Sequence, residues 1–199
     1  MKTTEKSWRW VWDTALDHAL TVHPWASIDH NYARDRAKII AVTLAMESDL
    51  KWRRQGLPHP EGDIGGNGLC QVELKTLDWM MTKLDGRSVL AERFARWIFR
   101  PELVTYPISW YRTATSKSIA WALRLGADRA AVAICSLRYM FVPRRMPKTV
   151  EEQFAYWFRF YNGKGVLKHM TLAEAWQLWL QKTRELEAAI PESILGEAA

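Results

Sequence analysis

The fold of this 199-residue chain is decided by residues 39–48, Ile-Ile-Ala-Val-Thr-Leu-Ala-Met-Glu-Ser. Seven of the first eight residues are apolar, so a helix over this stretch is apolar on almost every side. Such a helix must be surrounded by other helices to be shielded from water. The sequence therefore predicts a central helix that begins near Asp29 to Asn31, where cap residues stand, and ends at about Arg53.

Helical patterns continue on both sides of this stretch. Trp8, Trp12 and Ala19 recur at helical spacing and predict an N-terminal helix. Further helices, separated or followed by glycine or proline, are predicted over 74–84, 89–99, 116–125, 128–141 and 150–161. Because no long segment alternates with period two, the prediction is an all-α fold, with minimal β-structure at most.

The C-terminal helix has its own start signal. Thr171 is the expected N-cap, and Glu174 stands three residues later, at the spacing of a capping box. A packing helix over 171–189 follows, and its inward face is expected to carry Leu172, Trp176, Trp179 and Leu180. Together with the other helices it predicts a single domain over residues 1–199.

The composition excludes several classes of protein. Hydrophobic residues make up 48% and charged residues 25%, which is the mix of a globular domain and not of a disordered or collagen-like chain. The two cysteines, Cys70 and Cys135, are too few for a disulfide framework, and free thiols are expected. No apolar run reaches the length of a membrane span, and the N-terminus lacks the apolar stretch of a secretory signal.

The net charge and the tryptophan content are compatible with several classes of ligand. The net charge is +6, and the chain contains 12 tryptophans. A basic surface attracts polyanions, which include nucleic acid, anionic lipid and bacterial cell-wall polymers. Tryptophan stacks on sugar rings and on nucleobases, and it also fills helical cores. Composition alone leaves these alternatives open.

Glu47 is the first candidate for chemistry. Its carboxyl lies on the apolar face at the end of the central helix, where burial raises the pKa of a carboxyl toward the range of a general acid. The alternative is a buried ion pair with Arg53 or Arg54. A glycine-rich loop over 62–68 follows, and glycine lets a ligand approach the backbone closely. This loop matches neither the phosphate-binding nor the dinucleotide fingerprint.

Three motifs in this order resemble a known group of enzymes. They are Glu-Ser at 47–48, Gly-Gly-Asn-Gly-Leu-Cys-Gln-Val at 65–72, and Tyr-Asn-Gly at 161–163. The chain is similar here to the lysozyme-like lytic transglycosylases and goose-type lysozymes, and residues 133–140 look like the family helix between the motifs. The resemblance covers about residues 39–164 and implies a lysozyme-like helical domain with the glycine-rich loop beside the active-site cleft.

The chain departs from the family pattern at three points. Cys70 stands where methionine is usual, which exchanges one soft apolar side chain for another. The spacing between Gln71 and Tyr161 is longer than in a minimal transglycosylase, so inserted helices are expected around 79–126. The last motif reads Tyr-Asn-Gly-Lys-Gly and lacks the alanine that usually precedes the glycine.

The resemblance implies a set of site residues. Glu47 would be the catalytic acid/base, and Ser48 would orient it or the acetamido group of the sugar. The residues implied to bind the saccharide, or to lie near the bond that breaks, are Gly68, Leu69, Gln71, Tyr161 and Asn162.

The implied reaction is cleavage of the β-1,4 bond between N-acetylmuramic acid and N-acetylglucosamine in peptidoglycan. In a transglycosylase one carboxyl suffices, because the muramyl 6-hydroxyl closes a 1,6-anhydro ring. A hydrolase needs a second carboxylate to activate water. Asp63 and Glu73 stand where goose-type enzymes have carboxylates. Alternatively, Asp63 only satisfies loop amides and Glu73 only caps the helix beginning near Leu74.

The expected partner is the glycan strand of peptidoglycan, and nucleic acid is the less favoured ligand. No metal ion or other cofactor is expected, because no tight Cys/His spacing of the zinc-binding kind occurs. The resemblance and the missing export signal suit a bacteriophage product, made in the bacterial cytoplasm and acting on the wall after release or within a virion. The alternative is an inactive lysozyme-like module that binds the wall or builds a virion.

Overall fold

The computed structural model describes residues 6–22, 30–50, 69–85, 88–98, 119, 123, 128–142, 144–162 and 167–191. Its helices are α1 (Trp8–Val22), α2 (His30–Ser48), α3 (Leu74–Asp85), α4 (Ser88–Ile98), α5 (Asp128–Met140), α6 (Val150–Trp157), a π-helical turn (Phe158–Asn162) and α7 (Leu172–Ala189). The described residues contain no strand, so the all-α prediction is confirmed.

Helix α2 occupies the centre of the domain. It packs against α1, α5, α6 and α7. Every residue from 39 to 45 is buried, because these residues are apolar on all sides and the surrounding helices remove them from water. The prediction of a wrapped central helix is confirmed.

The end of α2 differs from the prediction. The helix ends at Ser48, and Asp49 and Leu50 follow with positive φ angles of 49° and 55°. A right-handed helix cannot contain this conformation. The backbone carbonyl of Leu50 accepts a hydrogen bond from the amide of Lys6 at 3.1 Å, and Asp49 Oδ1 pairs with Lys182 Nζ at 2.7 Å. The predicted extension to Arg53 is therefore wrong, because tertiary contacts hold two residues out of the helix.

The other helices lie close to their predicted positions. The bounds of α3, α4 and α5 agree with the prediction to within one residue at each end. The helix predicted over 116–125 falls almost entirely outside the described residues, and only Ile119 and Leu123 of it are described.

Helix α7 begins as predicted. Of its predicted inward face, Trp179 is buried, Trp176 and Leu180 are partly buried, and the prediction is wrong at Leu172. The Thr171 side chain accepts from the Glu174 amide, and the Glu174 side chain bonds back to the Thr171 backbone. The buried stripe is Ala175, Trp179, Thr183 and Leu186. Leu172 is 52% exposed, because it stands in the first turn beside exposed residues at the edge of the domain.

Buried polar bonds join α2 to α5. The guanidinium of Arg36 donates from Nη2 to the Ser136 carbonyl at 2.5 Å and from Nε to Ser136 Oγ at 3.2 Å. The hydroxyls of Thr43 and Tyr139 lie 2.6 Å apart. Burial lowers the pKa of Arg36. Because each buried donor needs a partner, these bonds restrict how α2 can slide along α5.

Most described tryptophans belong to the core. Four are almost completely buried, namely Trp12, Trp97, Trp157 and Trp179. Three more are partly buried against the core, namely Trp8, Trp10 and Trp176. The exception is Trp79, which is 44% exposed. Among the described residues, tryptophan therefore serves mainly to fill the space between helices.

The structure also describes the two cysteines and allows its helices to be compared with the length of a membrane span. Cys70 and Cys135 are buried free thiols, as predicted. Among the helices that the structure describes, none is long and apolar enough to cross a bilayer.

Candidate active site

The carboxyl of Glu47 receives two hydrogen bonds at the end of α2. Trp157 Nε1 donates to Glu47 Oε1 at 3.2 Å, and Asn162 Nδ2 donates to Glu47 Oε2 at 2.8 Å. The side chain of Trp157 is buried, whereas those of Glu47 and Asn162 are partly buried. The structure therefore brings together Glu47 and Asn162, two of the residues that the resemblance implied.

A π-helical turn allows both donors to reach one carboxyl. Trp157 is the last residue of α6, and Asn162 is the last residue of the π-helical turn. Residues five apart point about 140° away from each other on an α-helix, because each residue turns the helix by about 100°. A π-helix bonds residue i to residue i+5, so its wider turn brings such residues toward one side. The sequence predicted an ordinary helix here.

Tyr161 connects the π-helical turn to the loop segment over 69–72. Its hydroxyl donates to the Cys70 carbonyl at 2.8 Å. Arg138 Nη2 donates to the Tyr161 carbonyl, and the Arg138 guanidinium lies 4.1 Å from the centre of the Tyr161 ring. Residues 69–72 are all buried. Tyr161 thus holds the loop segment against the element that supplies Asn162.

Burial controls the electrostatics of the site. It raises the pKa of Glu47 from 4.5 to about 7. The hydrogen bonds from Asn162 and Trp157 and the positive charge of Arg138 lower this pKa, but by less than burial raises it. At neutral pH the carboxyl is thus present in both protonated and ionised forms, which is the condition for giving and taking a proton.

A cleft of about 420 Å³ lies beside this site: Glu47 does not line it, but Arg138, whose charge acts on Glu47, does. Its lining includes Lys75, Thr76, Trp79, Arg138, Phe141 and Phe160. Trp79 meets Phe141 edge to face, with ring centres 5.5 Å apart. Arg138 connects the cleft to Tyr161, and Phe160 belongs to the π-helical turn. An apolar cleft with a few polar groups is typical of a small-molecule or saccharide site.

The remaining predicted residues are placed as follows. Ser48 is buried, and its hydroxyl donates to the Leu44 carbonyl at 2.8 Å. The Leu69 side chain is fully buried in the core, and Gln71 is buried with a φ of 45°. Their roles toward a substrate stay predictions.

Of the two candidates for a second carboxylate, the structure describes Glu73 but not Asp63. Glu73 is exposed and precedes α3, and its backbone carbonyl accepts from the amides of Thr76 and Leu77 at 3.0 Å. This is the position of a helix cap. Asp63 lies outside the described residues, as does Gly68.

Sequence reasoning missed Trp157 and Arg138. Arg138 lies within residues 133–140, where the sequence indicates only a family-like helix. Trp157 stands five residues before Asn162, a spacing that places two side chains together only if the helix widens. The alternative ion pairs of Glu47 with Arg53 or Arg54 lie outside the described residues.

Comparisons of the chain with family models, with curated proteins and with solved structures found no match. The resemblance to transglycosylases and goose-type lysozymes therefore rests on the quoted motifs.

Proposed function

We propose that this chain is a muramidase that cleaves the β-1,4 bond between N-acetylmuramic acid and N-acetylglucosamine, with Glu47 as its general acid/base. One observation carries the proposal: the Glu47 carboxyl, partly buried, has a pKa of about 7 and is held by two N–H donors. A carboxyl with these properties is suited to protonating a leaving oxygen at neutral pH.

In this proposal each group around Glu47 has a role. The protonated carboxyl donates its proton to the glycosidic oxygen as the bond to the muramyl anomeric carbon breaks. The carboxylate that forms keeps the hydrogen bonds from Trp157 and Asn162, and the charge of Arg138 stabilises it further. If the muramyl 6-hydroxyl attacks, the same carboxylate then accepts its proton; if water attacks, a second carboxylate accepts it.

The attacking hydroxyl distinguishes two outcomes. If it is the muramyl 6-hydroxyl, the product carries a 1,6-anhydro ring and Glu47 acts alone. If it is water, the product has a reducing end and a second carboxylate is required, for which Asp63 and Glu73 are the candidates.

The neighbouring cleft supports a saccharide substrate. Trp79, Phe141 and Phe160 offer flat apolar surfaces for sugar rings, while Lys75 and Arg138 offer donors for acetamido and carboxylate groups. Because Arg138 lines the cleft and its charge also acts on Glu47, a glycan strand in the cleft would extend toward the carboxyl.

Product analysis tests the proposal. Purified protein is incubated with peptidoglycan, and the soluble fragments are identified by mass spectrometry. We expect muropeptides that end in muramic acid or its 1,6-anhydro form. If walls of several chemical types release no fragment while still binding the protein, the muramidase proposal is rejected. The protein would then be a non-enzymatic wall-binding or virion module.

The muramidase proposal includes the biological setting, in which the protein acts as a bacteriophage endolysin or as an enzyme of the virion.

The activity should fall as the pH rises, because Glu47 loses its proton. The acid form of a carboxyl with a pKa of about 7 is lost as the pH rises through that value. We therefore expect kcat/KM on soluble glycan fragments to fall about tenfold per unit above roughly pH 7. Initial rates between pH 5 and pH 9 measure this limb, and a rate that stays flat up to pH 9 would contradict the role of Glu47 as acid.

A further inference from the structure

A second cleft, of about 500 Å³, shares Phe160 with the first. Its lining includes four cationic side chains, those of Arg144, Arg145, Lys148 and Arg159. All four are exposed. We call this cleft the basic cleft.

One carboxylate in the lining of the basic cleft, that of Glu152, offsets only part of this charge and acts on Arg145 and Lys148 without forming an ion pair. Glu152 Oε2 accepts hydrogen bonds from the backbone amides of Lys148 at 2.9 Å and Thr149 at 3.2 Å. Within the part of the chain that the structure describes, none of the four cations forms an ion pair. Four cations against one carboxylate leave a net charge of +3.

The basic cleft adjoins the cleft beside Glu47. Phe160 lines both clefts. The Arg159 guanidinium lies 5.3 Å from the centre of the Phe160 ring. A polymer in the basic cleft would therefore lie next to the glycan strand that the first cleft is proposed to hold.

We propose that the basic cleft binds the phosphodiester backbone of an anionic polymer attached to the glycan strands of the cell wall. This inference rests on the proposed function. Several separate cations match a chain of repeating phosphates better than they match a single carboxylate. Guanidinium groups also bind phosphate oxygens in pairs of hydrogen bonds. The attachment of such a polymer to the wall places its phosphates beside the substrate strand.

The test compares two triple variants that each remove three positive charges. R144A/R145A/R159A alters the basic cleft. K83A/K168A/R184A removes exposed cations that line neither cleft. Binding of purified poly(glycerol phosphate) is measured by titration at several salt concentrations. We expect the first variant to bind at least about tenfold more weakly and to lose up to about three from the slope of log affinity against log salt. The control should bind as the unaltered protein does.

Equal binding by the unaltered protein and the basic-cleft variant would overturn the inference, as would an equal loss in the control. A single-stranded DNA of the same phosphate count that binds more tightly than the polymer, through the same three arginines, would assign the cleft to nucleic acid instead. The charge-preserving variant R144K/R145K/R159K guards against misfolding. It should keep the salt slope of the unaltered protein and bind more tightly than R144A/R145A/R159A, but less tightly than the unaltered protein, because lysine lacks the paired hydrogen bonds of a guanidinium.

A failure here can be told apart from a failure of the proposed function. Walls treated with hydrofluoric acid lack phosphodiester polymers but keep their glycan strands. If the muramidase proposal is right, the unaltered protein and both variants cleave these stripped walls at similar rates. Polymer binding without any cleavage of stripped walls would refute the muramidase and leave the anion site standing.

Discussion

Glu47→Gln is expected to lower the release of soluble fragments from peptidoglycan by about 10²- to 10⁴-fold, the usual contribution of a general acid. Glutamine keeps the shape of the side chain, and its carbonyl oxygen can still accept a hydrogen bond from Trp157 or Asn162, but it cannot donate a proton as a carboxylic acid does. Fragment release is measured as soluble muropeptide against time.

A matched control is Glu151→Gln, which changes an exposed carboxyl in the first turn of α6. It should cleave at the unaltered rate. Retained activity in Glu47→Gln, with the control equally active, would remove Glu47 from the reaction and leave the muramidase proposal without its acid.

The same variant should change how stability depends on pH. Burial raises the folded-state pKa of Glu47 from 4.5 to about 7, so between these values the folded protein holds more protons than the unfolded chain. The contribution of Glu47 to stability is therefore present below about pH 4.5 and is lost as the pH rises to about 7, by at most about 3 kcal/mol. Denaturant unfolding should show this loss in the unaltered protein and its absence in Glu47→Gln.

Trp179→Ala is expected to lower the free energy of unfolding by about 3–5 kcal/mol. The Trp179 side chain is completely buried in α7, with its ring centre 5.3 Å from that of Trp157 and 6.1 Å from that of Phe154. Alanine would leave a cavity next to the tryptophan that bonds Glu47. Urea unfolding at fixed pH measures the change.

Trp79→Ala is the matched control, because Trp79 is 44% exposed and lines the cleft beside Glu47. We expect a loss of less than about 1 kcal/mol in stability together with weaker binding of glycan fragments. A Trp179→Ala protein as stable as the unaltered one would contradict the core assignment. An unchanged substrate affinity in Trp79→Ala would contradict the stacking surface.

The central helix and the cap of α7 could be predicted because their signals are local. Apolar residues on all sides of 39–46 require burial whatever the neighbours are, and the Thr171–Glu174 capping box satisfies its own backbone amides. The position of Glu47 at the end of this helix follows in the same way. The burial that raises its pKa could therefore be expected from the apolar pattern.

Two features of the fold could not be predicted from local signals. The end of α2 depends on contacts from Lys6 and Lys182 with Leu50 and Asp49, residues far apart in the chain. The exposure of Leu172 depends on where the packed helices end. The spacing of apolar residues along one helix carries no information about that position.

Local patterns in the sequence were sufficient to predict a helical protein, its central helix and a carboxyl at the end of that helix. Packing of the helices was needed to reveal that Trp157 and Asn162 donate to that carboxyl, and that the basic cleft shares Phe160 with the cleft beside Glu47. The difference lies in how far apart in the chain the interacting residues are. Periodicity and capping act over one or two turns, whereas the donors to Glu47 lie more than 100 residues away and meet it only when the helices pack.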